Sequence, residues 1–294
     1  MEMSKPTLGF IGTGVMGKSM AGHWLKAGYE VWVYNRTREK LGHLLELGAR
    51  EARSIAEVVQ HAQVVATMLG FPTDVEDVYL GENGLIANGS PAQLFLDFTT
   101  SSPDLARKIA EKAREKGISA LDAPVSGGDI GAREARLSIM CGGSEEAFNI
   151  ARPLLNVLGQ NIMHHGPDGA GQHAKMCNQI TIAGMMMSVM EALAYAKSVG
   201  LDPEKMLASV GSGAATSWTL QNLMPRVLKG DLNPGFFVLH FIKDMDIALN
   251  EAEKRGLDLP ALRLARQQYQ RLADMGYPHL GTHALWLVYE DLLG

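Results

Sequence analysis

Short apolar runs alternate with helix-patterned stretches through the first half of the chain. The runs Thr7–Ile11, Glu30–Tyr34, Val64–Leu69, Leu94–Phe98, Ser119–Ala123 and Arg136–Cys141 are mostly continuous, as in strands covered on both faces. Between them, Lys18–Lys26, Arg38–Leu47, Ile55–Ala62 and Asp104–Lys116 carry helical periodicity. Gly28, Gly48 and Gly117 stand where such helices stop. This alternation predicts βαβ units and a parallel sheet. From about Ala170 the pattern changes. Residues 172–198 predict one helix, apolar on most sides and about 40 Å long at 1.5 Å per residue. Pro203–Gly211, Ser217–Lys229, His240–Arg255, Pro260–Met275 and Thr282–Leu292 continue as helices. The expected class is α/β: an N-terminal α/β domain, a long interdomain helix and an all-α C-terminal domain.

Composition narrows the picture. The 294 residues suffice for two domains at about 150 residues each. Hydrophobic residues make up 46%, which excludes general disorder. Twenty-seven basic against 32 acidic residues give a net charge of −5, which argues against a nucleic-acid partner. Cys141 and Cys177 are the only cysteines, too few for a disulfide framework or a thiolate zinc site. Residues 1–6 lack the plan of a signal peptide, and the apolar run Ile180–Met190 falls short of the ~20 residues of a bilayer span. A cytoplasmic protein without a membrane partner is expected. The histidines show no metal-ligand spacing, so no metal is expected.

The end of the first expected strand carries chemistry. Gly12-Thr13-Gly14-Val15-Met16-Gly17 is a Gly-x-Gly-x-x-Gly between a strand and a helix. Gly12 suits a tight turn, Gly14 a close approach of pyrophosphate, and Gly17 close packing of helix on strand. The helix start offers free N–H groups to the phosphates. A Rossmann-type doubly wound domain over residues 1–165 follows, with residues 166–294, including the helix at about 172–198, as the helical domain. After the second strand, Asn35-Arg36-Thr37 stands where NAD sites hold an acid, and no acid occurs before Glu39. Arg36 can pair with a 2′-phosphate, so NADP is the expected cofactor, with NAD as the alternative. The bland alternative is a solvated arginine in a surface loop.

Two further stretches invite a reading. Asp122-Ala-Pro-Val-Ser126-Gly127-Gly128 follows a strand end and offers a hydroxyl and two amides to a carboxylate, or is an ordinary tight loop. In Gly166-Pro-Asp-Gly-Ala-Gly171-Gln-His-Ala-Lys175-Met-Cys-Asn178, Lys175 and Asn178 share one helix face. Such a pair can protonate and orient a carbonyl oxygen, or Lys175 is a solvated lysine in a first turn.

These motifs, in this order and spacing, resemble the β-hydroxyacid dehydrogenase family over essentially the whole chain. Its members include 3-hydroxyisobutyrate dehydrogenases and glyoxylate/succinic semialdehyde reductases. The resemblance implies an oxidoreductase with Lys175 as general acid/base and Asn178 as substrate ligand. It implies Ser126, Gly127 and Gly128 as binders of the substrate carboxylate. Phe236, Lys243 and Asp244 match late contacts, Lys243 to cofactor and Phe236 and Asp244 to substrate. Met68, Leu69 and Thr100 match cofactor contacts, beside Gly12, Thr13, Gly14, Val15, Met16, Gly17, Asn35, Arg36 and Thr37. The expected substrate is a small semialdehyde or 3-hydroxy acid, and the expected assembly a homodimer or homotetramer through the helical domain. An imine reductase, which usually has Asp or Tyr in place of the lysine, and an inactive dinucleotide-binding module are the other readings. Two positions depart from the family: Ala135, where glycine is usual, and His283, where glutamine is commoner and which would alter the pocket rim. Cys177 is expected to point away from the Lys175–Asn178 face as a buried, inert thiol.

Overall fold

A computed structural model describes residues 5–293; residues 1–4, on which the leader reading partly rests, lie outside them. By contact the chain separates into two compact units, Met1–Lys175 and Met176–Gly294. This division falls inside the long helix, whereas the sequence pattern puts the boundary at 165/166.

The first unit is built on β1 (Leu8–Ile11), β2 (Val31–Tyr34), β3 (Arg50–Glu51), β4 (Val64–Thr67), β5 (Leu94–Asp97) and β6 (Ser119–Asp122). They form one six-stranded sheet in the order β3-β2-β1-β4-β5-β6. Every pairing in it is parallel. Successive side chains of a strand point to opposite faces, so the strands of the sheet, apart from the short polar β3 at its edge, feed two cores. Leu8, Phe10, Val31, Val33, Ala66 and Leu96 enter one core. Ile11, Val65 and Phe95 enter the other. Burial on both faces explains why these strands are continuous apolar runs in the sequence.

A second sheet holds β7 (Val125–Ser126), β8 (Leu137–Cys141) and β9 (Gly159–His164), with β7 antiparallel and β9 parallel to β8. Of these only β8 is visible in the apolar pattern. β9 exposes Gln160, Asn161 and Met163, so it never forms an apolar run. The helix Glu145–Leu155 also escapes the pattern, because Pro153 interrupts its reading; Ser144 Oγ caps it by accepting the Ala147 N–H at 3.2 Å.

The long helix runs Ala170–Ser198, 29 residues. By length and composition it is apolar enough to cross a membrane, although its longest unbroken apolar run is short. Core helices pass the same test, and Met186, Met190 and Leu193 are buried among the side chains of the second unit. The named elements of that unit are all helices among its described residues. The expected helix Ser217–Lys229 is two, Trp218–Asn222 and Met224–Leu228, since Pro225 lacks the N–H to continue the first. The last expected helix opens as a 3₁₀ turn, Thr282–Leu285, before Trp286–Glu290.

Two expectations change, and the departure at Ala135 gains a backbone context. Cys177 is exposed rather than buried: two residues beyond Lys175 carries it to the other side of the helix, and that side faces outward. His283 is buried, not on a rim, and its Nε2 lies 2.8 Å from the Asp231 carbonyl. Ala135 has φ +52°, a left-handed conformation that glycine adopts without strain. The family's usual glycine there has a backbone reason, which this chain overrides.

Candidate active site

In a parallel sheet the carboxyl ends of the strands lie together. Here Tyr34, Ile11, Thr67, Asp97 and Asp122 end their strands in one register, each paired with the next. The residues just beyond them include Gly12, Asn35, Met68 and, at the end of the Phe98–Thr100 segment, Thr100, four members of the expected cofactor set. Open α/β sheets bind ligands at this edge.

The three fingerprint glycines differ in their surroundings as their expected tasks require. Gly12 has φ +90°, and a Cβ on it would collide with the Met68 carbonyl. A Cβ on Gly17 would collide with the Gly12 carbonyl and press on the Phe10 ring. A Cβ on Gly14 would meet nothing within 4 Å. Open space therefore exists only at the glycine that must admit a ligand. Thr13 Oγ1 is buried without a partner among the described residues, while its N–H donates to Asn35 Oδ1 at 3.0 Å. A buried hydroxyl without a partner is costly unless a ligand completes it. The cradle and the hydroxyl together fit a dinucleotide pyrophosphate. Val15 is exposed at the helix start and Met16 packs on the core beneath.

The loop after β2 is braced from within: Asn35 Nδ2 donates to the Thr37 carbonyl at 2.8 Å. Asn35 thus braces its own loop with one end of its amide and holds the Thr13 N–H of the turn after β1 with the other. Arg36 reaches outward, 89% exposed, with Asp74 Oδ1 at 3.6 Å. The loop after β4 is tied to the next strand, where the Leu69 N–H donates to Thr99 Oγ1 at 2.9 Å.

Two buried carboxylates underlie this edge. Asp97 Oδ1 accepts from Thr67 Oγ1 at 2.8 Å and from the Thr99 N–H at 3.0 Å. Burial pushes its carboxyl up to about 6 against those hydrogen bonds, with the nearby Asp122 charge adding to the rise. Asp122 accepts the N–H groups of Gly169 (2.7 Å) and Gln172 (2.8 Å), holding the start of the long helix. Burial also raises its carboxyl above the usual range. Both acids border one small cavity with Tyr79.

Ser126 ends β7, and Gly127 and Gly128 follow with φ +125° and +62°. Both glycines are left-handed, so the chain turns sharply into the short helix Gly128–Arg133. Lys175 lies in the long helix, 6% exposed. A solvated first-turn lysine is therefore excluded.

In the second unit, Asn178 Nδ2 donates to Gln179 Oε1 at 2.7 Å, and Gln179 Nε2 donates to Asp244 Oδ2 at 2.5 Å. Lys243 Nζ lies 2.8 Å from Asp244 Oδ1. Asn178, Lys243 and Asp244 thus belong to one chain of polar contacts. Asp244 is 1% exposed and sits within that chain. Phe236 packs on the unit's core, its ring 5.6 Å from Phe241.

Sequence reasoning passed over Gln172 and Gln179, both buried. The signal was spacing: Gln172, Lys175 and Gln179 recur at three and four residues, a polar stripe on an otherwise apolar helix.

A Rossmann-type sheet with an open glycine cradle, followed by a helical unit that begins within a lysine-bearing helix, defines a nicotinamide-dinucleotide dehydrogenase. The comparisons specify the kind. Residues 7–166 match the model of the NAD-binding domain of 6-phosphogluconate dehydrogenase. Residues 169–289 match that of the NAD-binding domain of NADP-dependent 3-hydroxyisobutyrate dehydrogenase. An uncharacterized oxidoreductase of Bacillus subtilis, YkwC, is 52% identical over 96% of this chain and 98% of its own. An NAD-dependent L-serine dehydrogenase of Pseudomonas aeruginosa is 39% identical over 92% of this chain and 93% of its own. The solved structure of Mycobacterium tuberculosis 3-hydroxyisobutyrate dehydrogenase with L-serine superposes with a TM-score of 0.88 at 30% identity. That match covers 98% of this chain and 99% of the other. The chain belongs to the β-hydroxyacid dehydrogenase family and is an NAD(P)-dependent hydroxyacid dehydrogenase of the 3-hydroxyisobutyrate dehydrogenase type.

Proposed function

We propose that this enzyme prefers NADP and interconverts a small semialdehyde carboxylate with its hydroxy acid, the pair being of the glyoxylate, succinic semialdehyde or 3-hydroxyisobutyrate type. The observation that carries the cofactor choice is Arg36, 89% exposed beyond β2 where an NAD site would hold an acid. Its ion pair with Asp74 is long and solvated, so little free energy is lost when the guanidinium turns to a 2′-phosphate. When bound, the nicotinamide supplies or accepts the hydride. Ser126 and the Gly127 and Gly128 amides hold the substrate carboxylate, and Asn178 orients the carbonyl oxygen. Lys175 gives that oxygen its proton in reduction and removes it in oxidation. The same reading takes the enzyme as a cytoplasmic homodimer or homotetramer, supported by its mild negative charge and apolar connecting helix.

A second reading has a specific basis. The Pseudomonas aeruginosa relative is named for NAD and L-serine, and the Mycobacterium tuberculosis structure holds L-serine. It makes this chain an NAD-dependent dehydrogenase of a 3-hydroxy acid.

The test is a panel of glyoxylate, succinic semialdehyde, methylmalonate semialdehyde and L-serine with each cofactor. Charge-assisted bonds contribute about 1.5–3 kcal/mol, so NADPH should exceed NADH in kcat/KM by roughly one to two orders. Arg36→Ala should erase that margin and leave NADH within about threefold, since only the phosphate loses a partner. Equal use of both cofactors by the wild type, or equal loss of both in the variant, would remove the NADP assignment, whereas a wild-type preference for NADH would favour the second reading.

A further inference from the structure

Gln172 has no assigned role, yet its side chain is fully buried and used at both ends. Its Oε1 accepts the Ser101 N–H at 2.9 Å, and its Nε2 donates to the Thr99 carbonyl at 2.8 Å. These two peptide groups flank Thr100, so the carboxamide spans the residue expected to contact the cofactor. Its orientation is dictated, because Ser101 N–H can only donate and the Thr99 carbonyl can only accept.

Both sides of this bridge are themselves held. Thr99 is fixed by its N–H on Asp97 and by its hydroxyl, which accepts from Leu69. The Gln172 N–H rests on Asp122 Oδ2. Lys175 follows three residues later on the same helix face. One side chain therefore joins the loops after β4 and β5 to the turn that carries the lysine.

We propose that Gln172 is a positioning residue for hydride transfer. It fixes the Thr99–Ser101 segment and the Lys175 turn in one register, so that the hydride and proton sites are set together. The proposal rests on the role proposed for Lys175 and on the cofactor contact that the family resemblance implies for Thr100. It concerns alignment rather than cofactor affinity, since the phosphates belong to the Gly12–Gly17 cradle. Small misplacements of reacting groups cost on the order of 100-fold in rate.

Gln172→Glu tests it through pH. When protonated, the introduced carboxyl accepts from Ser101 and donates to Thr99, as glutamine does. When ionised, it loses the donor. Asp122 (β6) accepts the Gln172 N–H and Asp97 (β5) accepts the Thr99 N–H, while Asp168, Lys175, His173 and Arg107 are the other charged or titratable groups of these segments. Burial and the nearby carboxylates raise its pKa above the ordinary glutamate value, so ionisation is delayed to higher pH. The kcat ratio of variant to wild type should stay within about threefold at pH 6 and fall roughly 10- to 100-fold by pH 8. The NADPH Kd, from fluorescence titration, should move by less than about threefold across that range. Gln172→Met, with neither bond, should show the lower kcat at every pH.

A pH-independent ratio, or a loss that tracks NADPH Kd or melting temperature, would overturn the proposal and leave Gln172 a packing residue. Lys175→Ala run alongside separates the two levels. If it retains wild-type kcat, the functional reading fails; if it is inactive while Gln172→Glu shows no pH step, only the positioning role fails.

Discussion

The two units hold their polar groups in opposite ways. In Met1–Lys175 the expected site is made largely of backbone: left-handed glycines, N–H groups at a helix start, and loops that begin where strands end in register. In Met176–Gly294 it is made of side chains buried on helices, with Gln179 joined to Asp244 at 2.5 Å. Backbone donors are fixed by the fold itself, so substitutions there act by sterics. Buried amides and carboxylates depend on one another, and removing one leaves its partner desolvated at a cost of about 1–3 kcal/mol. Lys175, at the end of the first unit, belongs to neither pattern: it is a buried charged group whose expected role is chemical. The largest effect should therefore come from Lys175→Ala. General acid catalysis contributes roughly 10²–10⁴-fold, so kcat should fall by that order while NADPH still binds. Single-turnover kinetics beside a fluorescence titration separates the two; a kcat within about threefold of wild type would remove Lys175 from the chemistry.

The same contrast explains what could be read from the chain. Glycines announce themselves because their task is local: Gly12, Gly14 and Gly17 imply the turn, the opening and the close packing from spacing alone. Parallel strands buried on both faces appear as apolar runs, so five of the six strands of the large sheet are visible. The sixth, β3, is only Arg50–Glu51, and β9 of the second sheet is hidden because Gln160 and Asn161 interrupt its apolar run. The partnership of Arg36 with Asp74 joins residues far apart in sequence, and no local pattern predicts it. Gln172 and Gln179 went unread for another reason. A glutamine on a helix looks the same in sequence whether solvated or buried, and only the stripe it shares with Lys175 marks it.

Asp97 sharpens the comparison, because it is a buried side-chain acid within the backbone-built unit. Burial raises its folded carboxyl to about 6 from an ordinary value of 3.8. Below about pH 4 both folded and unfolded states hold the proton, and the group contributes nothing. Between about 4 and 6 the folded state keeps a proton that the unfolded chain has released, so stability falls as pH rises through this window. Above it both are ionised and the loss is complete, at roughly 3 kcal/mol for a shift of about two units. Asp97→Asn preserves an acceptor for Thr67 and Thr99 and removes the titration. Urea midpoints should show the variant more stable than wild type at pH 7.5, with the gap closing toward pH 4. A constant gap across that range would mean that Asp97 is not protonated in the fold.

The smallest effects should come from single methyl groups, and they test the first unit most directly. A Cβ at Gly17 meets the Gly12 carbonyl and the Phe10 ring, so Gly17→Ala must displace backbone in a packed region. Overpacking of this kind costs about 1–3 kcal/mol. At about 2–4 °C per kcal/mol, that corresponds to a melting temperature lower by roughly 2–12 °C without cofactor. A Cβ at Gly14 meets nothing, and its φ of −68° suits alanine. Gly14→Ala should melt within about 1 °C of wild type. Its methyl group instead enters the space that a pyrophosphate would occupy, so NADPH Kd should rise about tenfold, near 1.4 kcal/mol. The two variants lie three residues apart in a six-residue motif and should fail in different assays, one in stability and the other in binding. If Gly14→Ala binds NADPH as wild type does, the open cradle is not where the phosphates lie. If Gly17→Ala is as stable as wild type, the close approach of helix and strand is softer than the geometry requires.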